Sequence, residues 1–346
     1  MNIKTIARKF AASALALGAF LSAHSQDMHF SQFNGAPMIL NPALTGNFNG
    51  MYRVTGIYRN QWSSVTTPYV TFGGSVDAQL FPSESASGYL GGGIAIYNDR
   101  SGDGNLANLG ALASLAYHKF LGEEDNKALS VGLQGGYTQK SIDLSRLYWQ
   151  DEFNNGGFQP GLTGEQINPK IQYLTANAGL SWSHRVSDHI SYQLGASGHN
   201  LNQPPESFQK QENNEVGLGM RINGQVGAEI LAGQRLFIRP AFMYQTQSSA
   251  KEMIAGSEFL YIVGEPDIRS YATSVFLGGW TRFGDAVMFT AGMEFKGVRL
   301  GFAYDYNTSD LKLASGGNGG FEITVRYIKP NPLDFARKII FPCSRF

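Results

Sequence analysis

Apolar and polar residues alternate one by one along much of the chain. In the stretch 129–137, Leu129, Val131, Leu133 and Tyr137 fall on one face and Ser130, Gly132, Gln134 and Gly136 on the other, because side chains of a strand have a period of two. Val298, Leu300, Phe302, Tyr304 and Tyr306 likewise oppose Arg299, Gly301, Ala303 and Asp305. Phe321, Ile323, Val325 and Tyr327 oppose Glu322, Thr324 and Arg326, and further apolar faces run through Val287–Phe295, Leu90–Ile96 and Leu174–Trp182. Taken together, the runs predict about fourteen strands, roughly 51–60, 68–80, 88–97, 106–120, 127–140, 171–185, 188–198, 216–232, 235–246, 252–263, 269–282, 286–296, 298–307 and 319–328. Most are near the roughly 9–11 residues that a tilted membrane strand needs.

The connections sort by length. If residue 51 starts from the periplasm, the long connections around 141–170, 199–215 and 308–318 all fall on the outer side. The tight turns at Val186-Ser187-Asp188, Ala232-Gly233-Gln234 and Lys296-Gly297 all fall on the inner side. Bacterial outer-membrane barrels have this asymmetry. A soluble β-sandwich also alternates, with its apolar faces turned inward, but it has no reason to sort its loops. Aromatic residues near the strand ends (Tyr97, Tyr137, Trp182, Tyr306, Tyr327) fit the girdles of a membrane barrel. The fold expected is therefore all-β: a transmembrane antiparallel β-barrel over 51–328, in the outer membrane of a Gram-negative cell.

The N-terminus supports export. Lys4, Arg8 and Lys9 precede the apolar run Phe10–Leu21, and Ala23-His24-Ser25 supplies small residues where a signal peptidase reads. Residues 1–25 are expected to be a signal peptide cut before Gln26. The run is too short to span a bilayer, which takes about 20 residues, and no later apolar run approaches that length. Residues 26–50, with Asn41-Pro42 and several glycines, read as an N-terminal periplasmic arm. Lys329-Pro330-Asn331-Pro332 must end strand pairing, since proline has no N–H to donate, which leaves 329–346 as a periplasmic tail.

Composition narrows the function. Charged residues make up 16% of the 346, below the roughly 25% of soluble domains. Lys plus Arg equals Asp plus Glu, 27 each, so no excess charge points to nucleic acid. The single cysteine, Cys343, offers neither an internal disulfide nor a Cys-based metal site. Asn98–Gly104 faintly echoes a calcium loop, but Gly110 stands where the closing glutamate belongs, so a Gly/Asp turn is the better reading. The histidines 29, 118, 184, 189 and 199 lie on different elements without metal-ligand spacing. No phosphate-binding loop, dinucleotide fingerprint, zinc-protease motif or nucleophile elbow occurs. No cofactor is expected, and the chain is not expected to be an enzyme; a Ser–His pair hidden in a barrel-embedded hydrolase is the one form spacing would not reveal.

Phe30-Ser31-Gln32-Phe33, Leu40-Asn41-Pro42-Ala43-Leu44-Thr45-Gly46, Tyr58-Arg59-Asn60-Gln61-Trp62, Pro68-Tyr69 and Ser75-Val76-Asp77 follow one another in that order. With Ala116-Tyr117-His118 and the ending Cys343-Ser344-Arg345-Phe346, the succession resembles the PorP/SprF family of outer-membrane proteins associated with type IX secretion and gliding motility. The family ending is more usually Cys-Pro-Arg-Phe, so Ser344 departs from it. The resemblance covers essentially the mature chain. It implies a barrel without catalytic chemistry that works either beside a periplasmic ring or as the partner of a secreted adhesin cargo, recognised through its C-terminal secretion domain, or both.

Candidate sites follow, each with a plainer reading beside it. The aromatic residues Tyr148, Trp149, Phe153 and Phe158 of the longest loop suit a protein interface. Arg59 and Trp62 are either a docking feature at the outer rim or a lumen contact and a girdle aromatic. Phe30 and Phe33 either meet a ring component or pack as a plug in the barrel mouth, which keeps them from water. Arg53, Arg59, Glu294, Arg299, Asp305, Glu322 and Arg326 fall on polar faces near the closure of the first and last strands. They form either a partner or solute site or a lumenal charge network in which each ion has its counter-ion. Two functional readings remain, a protein-docking barrel and a porin-like channel for small solutes, because a glycine-rich lumen fits an open pore and a packed plug alike.

Overall fold

The computed structural model describes residues 30–65, 67–80, 87–122, 125–149, 152–154, 157–158, 167–209, 217–263, 273–310 and 312–330. The predicted signal peptide and most of the predicted tail, Cys343 included, lie outside the described residues. The strands are β1 (Tyr52–Gln61), β2 (Tyr69–Leu80), β3 (Gly88–Ser101), β4 (Leu106–Leu121), β5 (Lys127–Ser141), β6 (Phe153–Asn154), β7 (Gly157–Phe158), β8 (Lys170–Ser187), β9 (Ile190–His199), β10 (Arg221–Ala232), β11 (Leu236–Gln247), β12 (Ala250–Ile262), β13 (Ser274–Arg282), β14 (Ala286–Phe295), β15 (Val298–Asn307) and β16 (Asn318–Ile328). Strands β6 and β7 form a separate two-stranded hairpin, and the other fourteen close into one antiparallel barrel. Closure is made between β1 and β16, from Arg53 opposite Ile328 to Gln61 opposite Gly320. A closed ladder leaves no unpaired edge, which is what a hydrocarbon surrounding demands.

The outward set is apolar, as the alternation predicts. Leu133 is 66% exposed and Leu277 67%, whereas Gln134, next to Leu133, is 4% exposed. Leu129, Val131 and Tyr137 share the outer face with Leu133, while Ser130 is buried inward. Tyr52 and Tyr327 meet edge to face at the end of the barrel that carries both of its termini, and Trp62 and Tyr69 do so at the far end, with centroids 5.1 Å apart. Tyr97 departs from the expectation of a girdle aromatic. It falls one residue out of step with outward Ile96, and its ring packs against the buried cluster around Ile39 and Leu112.

Strand limits agree with the pattern to within two residues except in three places, the first being β3, which runs on to Ser101 rather than 97. Strand β10 starts at Arg221 rather than 216, because Gly217 pairs instead with Pro205 of the preceding loop. Strand β13 starts at Ser274 rather than 269. The expected start at 269 lies outside the described residues.

The arm, read from sequence as periplasmic with Phe30 and Phe33 either meeting a ring component or packing as a plug in the barrel mouth, follows the plug course. Its described part, from Phe30 onward, runs inside the barrel. Ser31 and Gln32 sit beside Arg59, Asp305 and Glu322, near the far ends of β1, β15 and β16. The chain then makes short helical turns at Phe33–Gly35, Pro37–Leu40 and Pro42–Leu44. It reaches the terminal end at Phe48, whose carbonyl accepts from the Gln79 side chain at 2.7 Å.

This register sets opposite fates for two neighbouring positions. Leu133→Arg places a charge in hydrocarbon at a cost of about 2–4 kcal/mol and is expected to prevent assembly, read as loss of the heat-modifiable folded band. Gln134→Arg spares the lipid face but removes two hydrogen bonds, to the Met38 carbonyl and from Asn177. It is expected to insert with a lowered melting temperature.

Candidate functional site

The lumen is where the sequence spends its polar and its unexpected apolar residues. Two apolar clusters seat the arm. In one, Phe30, Ala36, Met38 and Ile39 pack on Ile57, Ala95 and Leu112. In the other, Phe33 packs on Ala241, Met243, Ile254, Trp280 and Met288, with Leu40 against it. Phe33 meets the Trp280 ring edge to face at 5.7 Å. Each such buried side chain is worth about 1.5–3 kcal/mol. Sequence reasoning missed the wall residues of the second cluster. The signal was present, since Val275-Phe276-Leu277 and Val287-Met288-Phe289 are apolar on both faces, and a wet lumen does not call for that.

Small residues let the arm's backbone touch the wall. A Cβ at Gly132 would lie 2.3 Å from the Pro42 carbonyl carbon, and one at Gly179 would lie 2.0 Å from Asn41 Oδ1. Asn41 is fully buried and donates to the carbonyls of Leu180 and Ala196 at 3.0 and 3.3 Å, while its Oδ1 accepts from Ala43 N–H. Buried histidines serve arm carbonyls in the same way. His118 Nε2 donates to the Thr45 carbonyl at 2.8 Å and His199 Nε2 donates to the Leu40 carbonyl at 3.2 Å. His118 also carries Ser130 on Nδ1 at 2.7 Å. That is a Ser–His pair, but Ser130 is fully buried, so no substrate reaches it while the arm is docked.

All seven residues of the expected charge network point into the lumen, in three groups. Arg53 makes a two-pronged pair with Asp77 at 2.6 and 3.0 Å and donates to the Leu44 carbonyl at 2.9 Å, while Asp77 accepts from Gly46 N–H at 2.7 Å. Phe48 stacks on the Arg53 guanidinium. In the second group Arg59 pairs with Asp305 and Glu322 at 3.1 and 3.3 Å, and Arg282 joins through Asp305 at 3.4 Å. Glu322 accepts the backbone N–H of Ser31 and of Gln32 at 2.9 and 2.8 Å, and Ser31 Oγ donates to Asp305 at 2.7 Å. The third group joins Arg239, Arg299 and Arg326 with Glu229, Glu258 and Glu294. Asp77, Arg239, Glu258 and Arg282 were not assigned to the network from sequence, although each stands at an inward position of its strand.

The partner candidates separate. Phe30, Phe33 and Arg59 are buried within the lumen and so are not available to a partner in this state. Trp62 lies at the far rim in a left-handed backbone conformation (φ 57°). Tyr148 is 79% exposed, and Trp149 beside it is half-buried, with its N–H on Glu152 Oε2 at 3.0 Å. Phe153 and Phe158 are opposed residues of the β6–β7 hairpin. The long loops are tied together. Ile167 bridges to Gln209, and Lys140 pairs with Glu206. Hydrogen bonds from Ser145 hold the Asp143 carboxyl below its ordinary range. Among the described residues, no group of three or more His, Cys, Asp or Glu gathers to hold a metal ion.

Residues 22–327 are matched by the family model described as type IX secretion system membrane protein PorP/SprF. None of the curated proteins matches the chain. Among solved structures, the toluene transporter TbuX of Ralstonia pickettii is similar at a TM-score of 0.50 and 10% identity, over 85% of this chain and 92% of that one. The toluene transporter TodX of Pseudomonas putida is similar at 0.50 and 10% identity, over 89% and 96% of the two chains. At such identity the likeness is one of fold, that of an outer-membrane barrel.

Docking of the arm makes contrasting demands on two glycines of β5. Gly132→Val intrudes on Pro42, whereas Gly135→Val meets no atom within 4 Å. A cysteine at Asn34, reacted with a membrane-impermeant maleimide, is expected to label slowly in the otherwise native barrel and in G135V, and faster in G132V. Equal rates in all three would contradict the seating of the arm.

Proposed function

The chain belongs to the PorP/SprF family of type IX secretion system membrane proteins, and on that premise we propose that it acts as a non-catalytic docking barrel. In this reading the end carrying both barrel termini faces the periplasm, and the long loops around 142–169 and 200–220 face outward. A secreted adhesin cargo docks by its C-terminal secretion domain on the outer loops, with Tyr148, Trp149, Phe153 and Phe158 as anchors and Trp62 at the rim. A periplasmic ring component meets the opposite end through the tail, 329–346. The assembly serves type IX secretion and gliding motility, and the chain reaches the outer membrane after cleavage of its signal peptide.

The observation that carries the reading is the occupied lumen. Buried apolar clusters, buried ion pairs and backbone hydrogen bonds hold the arm across the inside of the barrel. A solute path would have to displace it, so the surfaces left for partners are the two ends. Tyr148, 79% exposed at one of them, is of the residue type that anchors protein interfaces.

Deleting 145–165 is expected to abolish co-purification of the cargo from detergent-extracted membranes while the barrel still runs as a folded, heat-modifiable band. Normal recovery of cargo would exonerate that loop. In planar bilayers the intact protein is expected to be electrically silent, whereas a variant lacking 30–47 should conduct. Steady large currents from the intact protein would favour the channel reading instead.

A further inference from the structure

The ring is complete through the hydrocarbon, but its strands are unequal in length. Strand β8 has 18 residues and its neighbour β9 only 10. On one flank β8 stays paired with β5 to its outer end, where Lys170 stands opposite Ser141. On the other flank the ladder to β9 ends at Ala178 opposite Gly198. It resumes farther out, where Asn168 N–H donates to the Phe208 carbonyl at 2.7 Å and Ile167 bridges to Gln209. Ten residues lead from Ala178 to Asn168 and ten from Gly198 to Phe208, so the register is the same on both sides of the interruption.

The chain is long enough to zip across, and its sequence explains why it does not. In that register Pro204 falls opposite Gln172, at a position that has to donate to the Gln172 carbonyl, and proline has no N–H. The segment turns aside instead: Leu218 N–H donates to the Pro204 carbonyl at 2.8 Å, and Pro205 bridges to Gly217. The first groups past the break are capped from within the chain. The Asn202 amide donates to the Leu174 carbonyl at 2.7 Å and accepts from Ala176 N–H at 3.0 Å, and Leu201 N–H donates to the Ala176 carbonyl at 2.8 Å. Backbone groups of a strand point alternately to its two sides. The same side of β8 therefore carries the N–H of Leu174 and the N–H and C=O of Gln172 and Lys170. Among the described residues, none of these has a backbone partner there.

This stretch stands clear of lipid. Outward Tyr137 and Leu174 are followed toward the loops by Gln139 and Gln172, and then by Ser141 and Lys170, so the apolar band ends at Leu174. Beside the open edge Leu174 and Leu201 are 68% and 43% exposed. An unpaired edge in water offers a row of donors and acceptors whose spacing an extended backbone matches. We infer that the outer edge of β8, residues 170–174, is a strand-addition site that takes an extended peptide segment of the secreted cargo. The inference rests on the docking reading above and gives its mode. Main-chain hydrogen bonds to Gln172 and its neighbours supply the pairing, and an apolar side chain of the added strand covers Leu174 and Leu201. Pro204 keeps this chain's own segment off the edge, which stays open until the partner arrives.

The test is amide hydrogen exchange of the full-length barrel, alone and in the cargo complex recovered from detergent-extracted membranes. In the barrel alone, the amides of Gln172 and Leu174 are expected to exchange as freely as those of a loop, while those of Tyr173 and Thr175, which face β5, are protected. In the complex, the Gln172 and Leu174 amides should slow about ten-fold or more. Gln172→Pro removes an N–H from the open side and none from the ladder to β5. It should recover about ten-fold less cargo, whereas Gln172→Thr should recover it normally, with the heat-modifiable band reporting assembly of both. Protection of Gln172 in the barrel alone, a complex that forms with these amides unchanged, or normal recovery by an assembled Q172P would overturn the edge site and leave the docking reading in place. Failure of cargo to co-purify with the intact barrel would overturn both.

Discussion

Backbone groups in hydrocarbon must find partners within the chain, and for strands this is met by closing the sheet on itself. Everything else in the structure depends on that closure between β1 and β16. Once the ladder is a ring, the period of two divides every strand between lipid and lumen. The outer face is then restricted to apolar and interfacial aromatic side chains. The inner face becomes a narrow, enclosed surface whose polar groups need partners as much as the backbone does.

The arm supplies those partners. Its own N–H and C=O groups would otherwise lack them, since a segment of isolated short turns satisfies few internally. Glu322 takes two arm N–H groups, Asp77 takes a third, and Arg53 and the two histidines serve arm carbonyls. The buried charges of the three groups are tolerated because each faces an opposite charge; removing one member of such a group costs about 3–5 kcal/mol. Arg59 and Glu322 lie on the two strands that close the ring, at paired positions. The group that grips Ser31 therefore also staples the closure, so filling of the lumen and completion of the wall are parts of one packing problem.

How much of this was legible in sequence depends on which face a residue serves. The lipid face was readable residue by residue, because Leu129, Val131 and Leu133 share one uniform surrounding and one uniform requirement. The lumen was not, because its surroundings are another part of the chain. Gly132 and Gly179 look the same in sequence whether they line a pore or admit Pro42 and Asn41. Met243, Ile254, Trp280 and Met288 break the polar inner face without any sequence signal of the reason, which is that Phe33 sits among them. Tyr97 was assigned to the wrong face for the same reason: an aromatic residue near a strand end suits a girdle and a lumenal cluster equally. The aromatic residues of the 142–169 loop were visible as candidates from composition, but no periodic constraint acts on a loop, so the proposal for them rests on residue type and on the exposure of Tyr148 rather than on geometry.

The central claim is that the arm is a built part of the barrel interior and not a segment waiting below it. Hydrogen exchange of the full-length protein in native outer-membrane vesicles tests this most directly. Amides of Ser31, Gln32, Ile39, Ala43 and Gly46 all donate to acceptors within the arm or the wall. They are expected to exchange as slowly as those of the barrel strands. Exchange of these amides at the rate of a free peptide, with the strands still protected, would contradict it.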